Sequence, residues 1–572
     1  MRTSLRFIQS CLGFFAGVLL LSCAGQAPPS GGPLDTEPPK IISVYPAPSS
    51  LFYSDSKIVL EFDEYVDHSS VEGSIFVSPS LGPLEFDWSG TEVEVSFSDS
   101  LRSNTTYVFN VGTDVVDTRN KNRMAEAFSL AFSTGGTIDP GTIVGKVYPA
   151  SFSDELSGVT VFAYMLDIID PDTLDPSTLG PDYVTQTGKS GEFLLPHLTL
   201  GSYRLFAIRD EYRNLLYDPE TDEFAAAGER VRLTEDDTLK AGVTMRLARE
   251  DTTAPRLIKV TPLNRGQLLA EVSEPLDTSS LGIENVRVTD TLGNRALKIL
   301  SVAALLPQRT SLYLVTEEQD SGLYYELHLR NVRDLSGRFI SSSAASIQFA
   351  GSDLPDTSRP AVGAFSISDS AKGVAIHPLL EIRFTEPVRR SAWEAMIDLR
   401  DSLDRSVPAE GAWINDAAMS LRPLNELAGS AWYRVLVRTG LLQDFMGMTG
   451  KDTTRFLHFQ TLDSERLSSI EGMVSDVNKD DAVGTVIVTA RIVGQKNPIT
   501  KSTTVEQPGP FQLSQLPEGL YVMEAFRDRN DNGKFDAGRV FPFVMSERFS
   551  IAGDTLKLRA RWPLENVRID LK

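Results

Sequence analysis

The chain has 572 residues, with 55 Lys and Arg against 77 Asp and Glu, and a formal net charge of −22. A surface this acidic repels phosphate backbones and no basic cluster interrupts it, so nucleic acid is excluded as a partner. Only two cysteines occur, Cys11 and Cys23, and the histidines (His68, His197, His328, His377 and His458) are scattered singly, which excludes a disulfide framework and a zinc-ligand spacing.

Residues 1–22 read as a processing segment. Arg2 and Arg6 give a positive start, and the apolar run from Leu12 to Leu21 is too short to span a bilayer. It ends in Leu20-Leu21-Ser22-Cys23. This resembles the bacterial lipobox. The resemblance implies cleavage before Cys23 and attachment of acyl chains, palmitate among them, so that a lipid ties the mature chain to a membrane. Residues 23–38 are rich in Pro, Gly and Ser and read as a flexible tether. No acidic run follows Cys23, which favours the periplasmic face of an outer membrane over the cell surface.

Segment 39–136 alternates from its start. Ile58, Leu60 and Phe62 fall on one face of a strand, followed by Phe62-Asp-Glu64-Tyr-Val66. The strand Thr106-Tyr107-Val108-Phe109-Asn110-Val111, a turn at Asp117 and a closing Phe128-Ser-Leu130-Ala-Phe132-Ser-Thr134 complete it. The set resembles the bacterial Ig-like domain of the SbsA type. Segment 253–352 repeats it with Val272-Ser-Glu274-Pro275, Tyr325 and Asp334-Leu-Ser-Gly337. Segment 358–463 repeats it again with Phe384-Thr-Glu386-Pro387-Val388, Tyr433 and Asp444-Phe-Met-Gly447.

Segments 139–249 and 467–572 are copies of another kind. Each opens on a Gly-centred strand, Ile143-Val-Gly145-Lys-Val147 and Ile470-Glu-Gly472-Met-Val474. Gly191-Glu-Phe193-Leu-Leu195 leads to Gly201 and Tyr203, as Gly509-Pro-Phe511-Gln-Leu513 leads to Gly519 and Tyr521. These resemble transthyretin-like, carboxypeptidase-regulatory-like sandwiches, and more narrowly adhesin B-type repeats. The interruption at 168–183, rich in Pro, Asp and Gly, reads as an exposed loop. The expected architecture is all-β: tandem small β-sandwiches, Ig-like and transthyretin-like, in an elongated chain behind a lipoprotein signal peptide.

The best candidate for chemistry is Asp528-x-Asn530-x-Asn532-Gly533-Lys534-x-Asp536. Oxygen donors at alternate positions with Gly at the sixth wrap a hard cation, and the carbonyl of Lys534 adds another oxygen, so calcium is the expected cofactor. The twelfth position is Arg539, so this is no EF-hand. An Asn-Gly turn closed by its own side chains accounts for the same residues. The earlier copy keeps Asp210, Asn214 and Asp218, with Tyr212 at the third place and Leu215 at the sixth, where the other loop has Asn530 and Gly533.

Glu64, Glu274 and Glu386 recur at one position, which reads as a structural residue rather than a catalytic carboxylate. Asp-Ser/Thr-Leu/Ala triplets at Asp99, Asp172, Asp237, Asp290, Asp369, Asp401 and Asp554 are similar to O-glycan acceptors and equally to turn residues. No nucleophile elbow, P-loop or H-E-x-x-H motif is present. The expected function is a non-enzymatic, lipid-anchored envelope protein that presents structural or binding modules to an envelope protein or polysaccharide. The alternatives are a polysaccharide-processing enzyme, which requires an acidic cleft with a perturbed carboxylate, and an envelope assembly factor, which requires an open sheet edge.

Overall fold

A computed structural model describes residues 35–150, 156–292, 295–478, 483–494, 499–553 and 555–571. The chain is all-β, with only short helical turns between strands. It divides into two compact units. One holds residues up to 174 with 179–215 and 230–243; the other holds 175–178, 216–229 and the chain from 244 onward.

In the first unit, strands β1 (Ile41–Tyr45), β2 (Lys57–Phe62), β3 (Ile75–Ser78), β4 (Leu84–Ser89), β5 (Glu92–Phe97), β6 (Thr106–Val111) and β7 (Phe128–Ser133) form two sheets. Their orders are β1-β2-β5-β4 and β3-β6-β7. That is the ABED and CFG plan of a constant-type immunoglobulin sandwich. Ile58, Leu60 and Phe62 point into the core, as their alternation predicts. The Tyr107 hydroxyl accepts the N–H of Arg102, five residues upstream, at 2.8 Å. This tyrosine corner pins the turn that feeds β6.

Strand β6 departs from the alternating pattern and is buried along its whole length. The next sandwich covers its outer face. Asn110 Nδ2 donates to the Val184 carbonyl at 2.7 Å, and Thr113 Oγ1 to the Thr187 carbonyl at 2.9 Å. That sandwich contains β8 (Gly141–Tyr148), β9 (Thr160–Met165), β10 (Tyr183–Gln186), β11 (Glu192–Leu198) and β12 (Gly201–Arg209). β11 pairs with β8, while β9 lies between β10 and β12. Any Cβ on Gly145 would come within 2.4 Å of the Phe193 ring and the Val243 carbonyl, which is why this strand centres on glycine. The 168–183 interruption is held more tightly than an exposed loop. Leu174 is buried, Arg204 donates to the Pro171 carbonyl and Tyr164 to the Leu179 carbonyl.

The second unit repeats the seven-strand plan twice, each time with one short strand added to the facing sheet, Ala296–Leu297 and Ala371–Val374. Leu257–Asn264, Gln267–Val272, Ser311–Thr316 and Ile299–Ala304 take the order of β1-β2-β5-β4, facing Val286–Asp290, Tyr324–Leu329 and Ser346–Ala350. Val362–Phe365, Leu380–Phe384, Ala418–Pro423 and Ala409–Asn415 do the same, facing Ile397–Asp401, Trp432–Arg438 and Thr454–Thr461. The Tyr325 and Tyr433 hydroxyls accept the N–H groups of Asp320 and Ala428 at 2.9 Å, again five residues upstream. In the C-terminal sandwich, Ser468–Asp476 lies between Pro510–Leu516 and a parallel Leu564–Leu571. Thr485–Ile492 and Gly519–Asp528 form the centre of the facing sheet.

Candidate functional site

The C-terminal loop begins where strand Gly519–Asp528 ends, and a buried ion cluster fixes both of its ends. Asp476 accepts from Arg527 Nη2 at 2.7 Å and from Arg548 Nη1 at 2.7 Å and Nη2 at 2.8 Å. All three side chains are at most 4% exposed. Burial by itself raises the Asp476 carboxyl pKa. The hydrogen bonds and charges of Arg548 and Arg527 outweigh that and hold it below its ordinary value.

Between those ends the structure brings all the predicted ligands onto one loop. Asp528 accepts the N–H of Asn532 at 3.1 Å and of Gly533 at 2.7 Å. Asn530 and Asn532 donate their amides to one oxygen of Asp536, at 2.7 and 3.0 Å, and the N–H of Lys534 bonds Asn532 Oδ1 at 2.7 Å. Gly533 takes φ +76°. Asp210 makes the same pair of bonds, to Asn214 N at 3.2 Å and Leu215 N at 2.9 Å, and Leu215 takes φ +58°. The turn therefore forms with or without the full oxygen set.

A carboxylate outside the expected set lies against the loop. Glu547 is 3% exposed and accepts the N–H of Arg529 at 2.7 Å and of Asp536 at 3.0 Å, closing the loop from its far side. Burial, then the charges of Asp536 and Asp528, push its carboxyl pKa up. The repeat carried a signal for it: Glu547-Arg548 follows Asp528 by 19 residues, and Glu229-Arg230 follows Asp210 by 19. Cys23, the predicted lipid site, lies outside the described residues. Among the Asp triplets, Asp290 and Asp401 cap turns, each accepting the N–H two residues on. Asp554 lies outside the described residues.

The recurring glutamates are not solitary. Glu386 is 2% exposed and lies with Asp356 and Asp444, one oxygen of each within 4.8 Å of the others. Glu274 meets Asp251 and Asp334 in the same way. Burial first, then the neighbouring carboxylates, raises the pKa of both glutamates. The first cluster borders a cleft of about 480 Å³ that is also lined by Gln267, Tyr313 and Arg359. Glu64 has Asp117, Asp35 and Asp63 nearby, and its pKa is raised for the same reasons.

Among protein families, the bacterial Ig-like domain matches residues 35–134 and 356–461. Residues 257–350 lie outside those matches but have the same strand order. Domains 1–6 of the surface layer protein SbsC align over 93% of this chain and 68% of their own, at 9% identity and a TM-score of 0.17. The N-terminal part of the bacterial S-layer protein SbsC aligns over 36% of this chain and 44% of its own, at 10% identity and a TM-score of 0.17. L,D-transpeptidase 3 from Mycobacterium tuberculosis aligns over 20% of this chain and 41% of its own, at 10% identity and a TM-score of 0.14. The chain thus spans less than half the length of these last two structures. No curated protein sequence matches it. No helix among the described residues is long and apolar enough to cross a membrane.

Proposed function

We propose that this chain is a non-enzymatic, lipid-anchored protein of a bacterial envelope, in which tandem β-sandwiches form a structural or binding array. The match of two segments to the bacterial Ig-like domain carries the reading. The lipobox-like Leu20-Leu21-Ser22-Cys23 supplies the anchor, and the missing acidic run after Cys23 supports the periplasmic face of an outer membrane. Sandwiches 139–249 and 467–572 are of the transthyretin-like kind. Their glycine-under-phenylalanine contact, Gly145 with Phe193 and Gly472 with Phe511, supports that kinship. The loop from Asp528 to Asp536 takes calcium through Asp528, Asn530, Asn532, the Lys534 carbonyl and Asp536, with Glu547 as a further ligand. Its donors are all oxygens, the set a hard cation takes.

One observation favours an enzyme: the acidic cleft at Glu386 with its raised pKa. The same trio of carboxylates recurs at Glu274, however, and a catalytic pair needs a pocket of its own. For the assembly reading, edge strand Leu84–Ser89 exposes Glu85 and Asp87, and Ala409–Asn415 exposes Glu410. Charges on those edges oppose strand addition, while the edges Ile41–Tyr45 and Val362–Phe365 of the same sheets carry none.

The tests are direct. Cells fed a labelled palmitate analogue label the wild-type chain and not Cys23→Ser, and protease added to intact cells leaves the sandwiches whole. Label on Cys23→Ser removes the anchor, and degradation moves the array to the cell surface. Hydrolysis of an envelope polysaccharide by the purified chain, lost in Glu386→Gln, would overturn the non-enzymatic reading.

A further inference from the structure

The two carboxylate clusters at Glu274 and Glu386 are built alike. Each takes one aspartate from the segment leading into an Ig-like sandwich (Asp251, Asp356). Each takes the glutamate after the second strand (Glu274, Glu386) and the aspartate that heads the Asp-x-x-Gly turn (Asp334, Asp444).

In each turn one aspartate oxygen is satisfied and the other is not. Asp334 Oδ1 accepts the N–H groups of Ser336 at 2.8 Å and Arg338 at 2.9 Å; Asp444 Oδ1 accepts that of Met448 at 2.7 Å. Asp334 is 2% exposed and Asp444 0%, yet Oδ2 of each has no hydrogen-bond partner, and neither has Asp356 Oδ2. Among the described residues these are the only buried carboxylate oxygens left so, and all three residues belong to the two clusters. Among the described residues no arginine is hydrogen-bonded to these oxygens. Arg338 bonds the Asp251 carbonyl and Glu250, while Arg389 bonds the carbonyls of Asp444 and Phe445. An unpaired buried charge is costly, and three together repel one another.

The first Ig-like sandwich acts as an internal control. Its turn is one residue longer: Asp117 N bonds the Asn122 carbonyl, where Asp334 N bonds that of Arg338 and Asp444 N that of Met448. In the longer turn a backbone N–H reaches each oxygen of the aspartate. Asp117 Oδ1 accepts from Asn120 and Lys121, and Oδ2 from Asn122 at 3.0 Å. No oxygen of Asp117 is left over.

We infer that Asp251, Glu274 and Asp334, and separately Asp356, Glu386 and Asp444, each hold one calcium ion, and that the Asp117 site holds none. Two oxygens bound to one calcium at about 2.3–2.6 Å can lie no more than about 5 Å apart, and each cluster meets that bound. All donors are carboxylate oxygens, the hard set, and the cleft at Glu386 leaves room for the waters that complete six to eight ligands. Because one ligand comes from the lead-in segment, the ion ties that segment to the sandwich behind it. This inference does not rest on the loop at Asp528.

The test uses the full chain in detergent, stripped with EGTA and dialysed to equilibrium against calcium chloride near neutral pH. Asp334→Asn and Asp444→Asn each lose one bound calcium, the double variant loses two, and Asp117→Asn loses none. Any ion at the Asp528 loop stays in all of these variants and is removed by Asp536→Asn, so the two readings fail separately. Calcium raises the melting temperature of the wild type, and the double variant loses the part of that rise that its two sites supply. If the double variant does not fold, Glu274→Gln with Glu386→Gln gives the same count. An unchanged ion count in the double variant overturns the inference, as does an equal loss in Asp117→Asn. Binding of magnesium as tight as calcium overturns the choice of ion.

Discussion

Replacing Asp476 by Asn tests the ion cluster that holds the C-terminal loop. The substitution keeps the shape and removes the charge between two guanidiniums that are 0% and 2% exposed. Arg527 keeps its bond to the Gly484 carbonyl at 2.8 Å, while both arginines lose the Asp476 carboxylate as an ion-pair partner. Breaking a buried pair from one side costs about 3–5 kcal/mol. For a sandwich of this size that lowers the midpoint by about 4–8 °C per kcal/mol. The assay is calorimetric unfolding of the full chain, following the transition that Asp476→Asn moves, since several sandwiches need not melt as one. The wild type also loses this stabilisation at low pH. The Asp476 pKa is depressed in the folded state, so its contribution is complete above the unfolded value of about 3.9 and fades as pH falls through the lower folded value. A change below about 1 kcal/mol, the worth of an exposed pair, would refute the argument.

Tyr107→Phe, Tyr325→Phe and Tyr433→Phe each remove one tyrosine-corner bond and destabilise their own sandwich by about 1 kcal/mol in denaturant titrations. Gly472→Ala places a methyl 2.0 Å from the Val567 carbonyl and costs about 1–3 kcal/mol or more, read as a lower melting temperature with the other sandwiches unmoved. Glu547→Gln weakens calcium at the Asp528 loop, read by calorimetric titration, and equal affinity in the variant removes Glu547 from the ligand set. Phe109→Ala, at a 0% exposed core position, costs about 3–5 kcal/mol in the same denaturant titrations.

Strands were legible where burial is one-sided. Ile58, Leu60 and Phe62 alternate because one face of β2 meets the core and the other meets solvent. The reading was incomplete at β6, because what covers Asn110 is Val184, 74 residues away, and no local pattern encodes a partner at that distance. Pro, Asp and Gly marked 168–183 as a loop, and much of it is exposed, but they could not show the burial of Leu174, which depends on what it packs against. The Asp528 loop was legible as a motif because its donors are neighbours in sequence. Its closing carboxylate was not, although the equal spacing of the two Glu-Arg pairs would have shown it.

The recurring glutamates show where argument from repetition stops. Repetition once per module argues against a catalyst at Glu64, Glu274 and Glu386 alike. It does not follow that the residue only packs. What separates the three is the length of a turn elsewhere in each sandwich. A separation of five from Asp117 to Asn122 brings a backbone N–H to both oxygens, and a separation of four from Asp334 to Arg338, or from Asp444 to Met448, leaves one oxygen bare. A deletion of one residue within 118–121 would therefore bare Asp117 Oδ2 and create a third cluster with Glu64 and Asp35. The expected result is a calcium-dependent rise in melting temperature for the first sandwich, which the wild type lacks there. A shortened turn that folds and still ignores calcium would show that turn length does not govern the site.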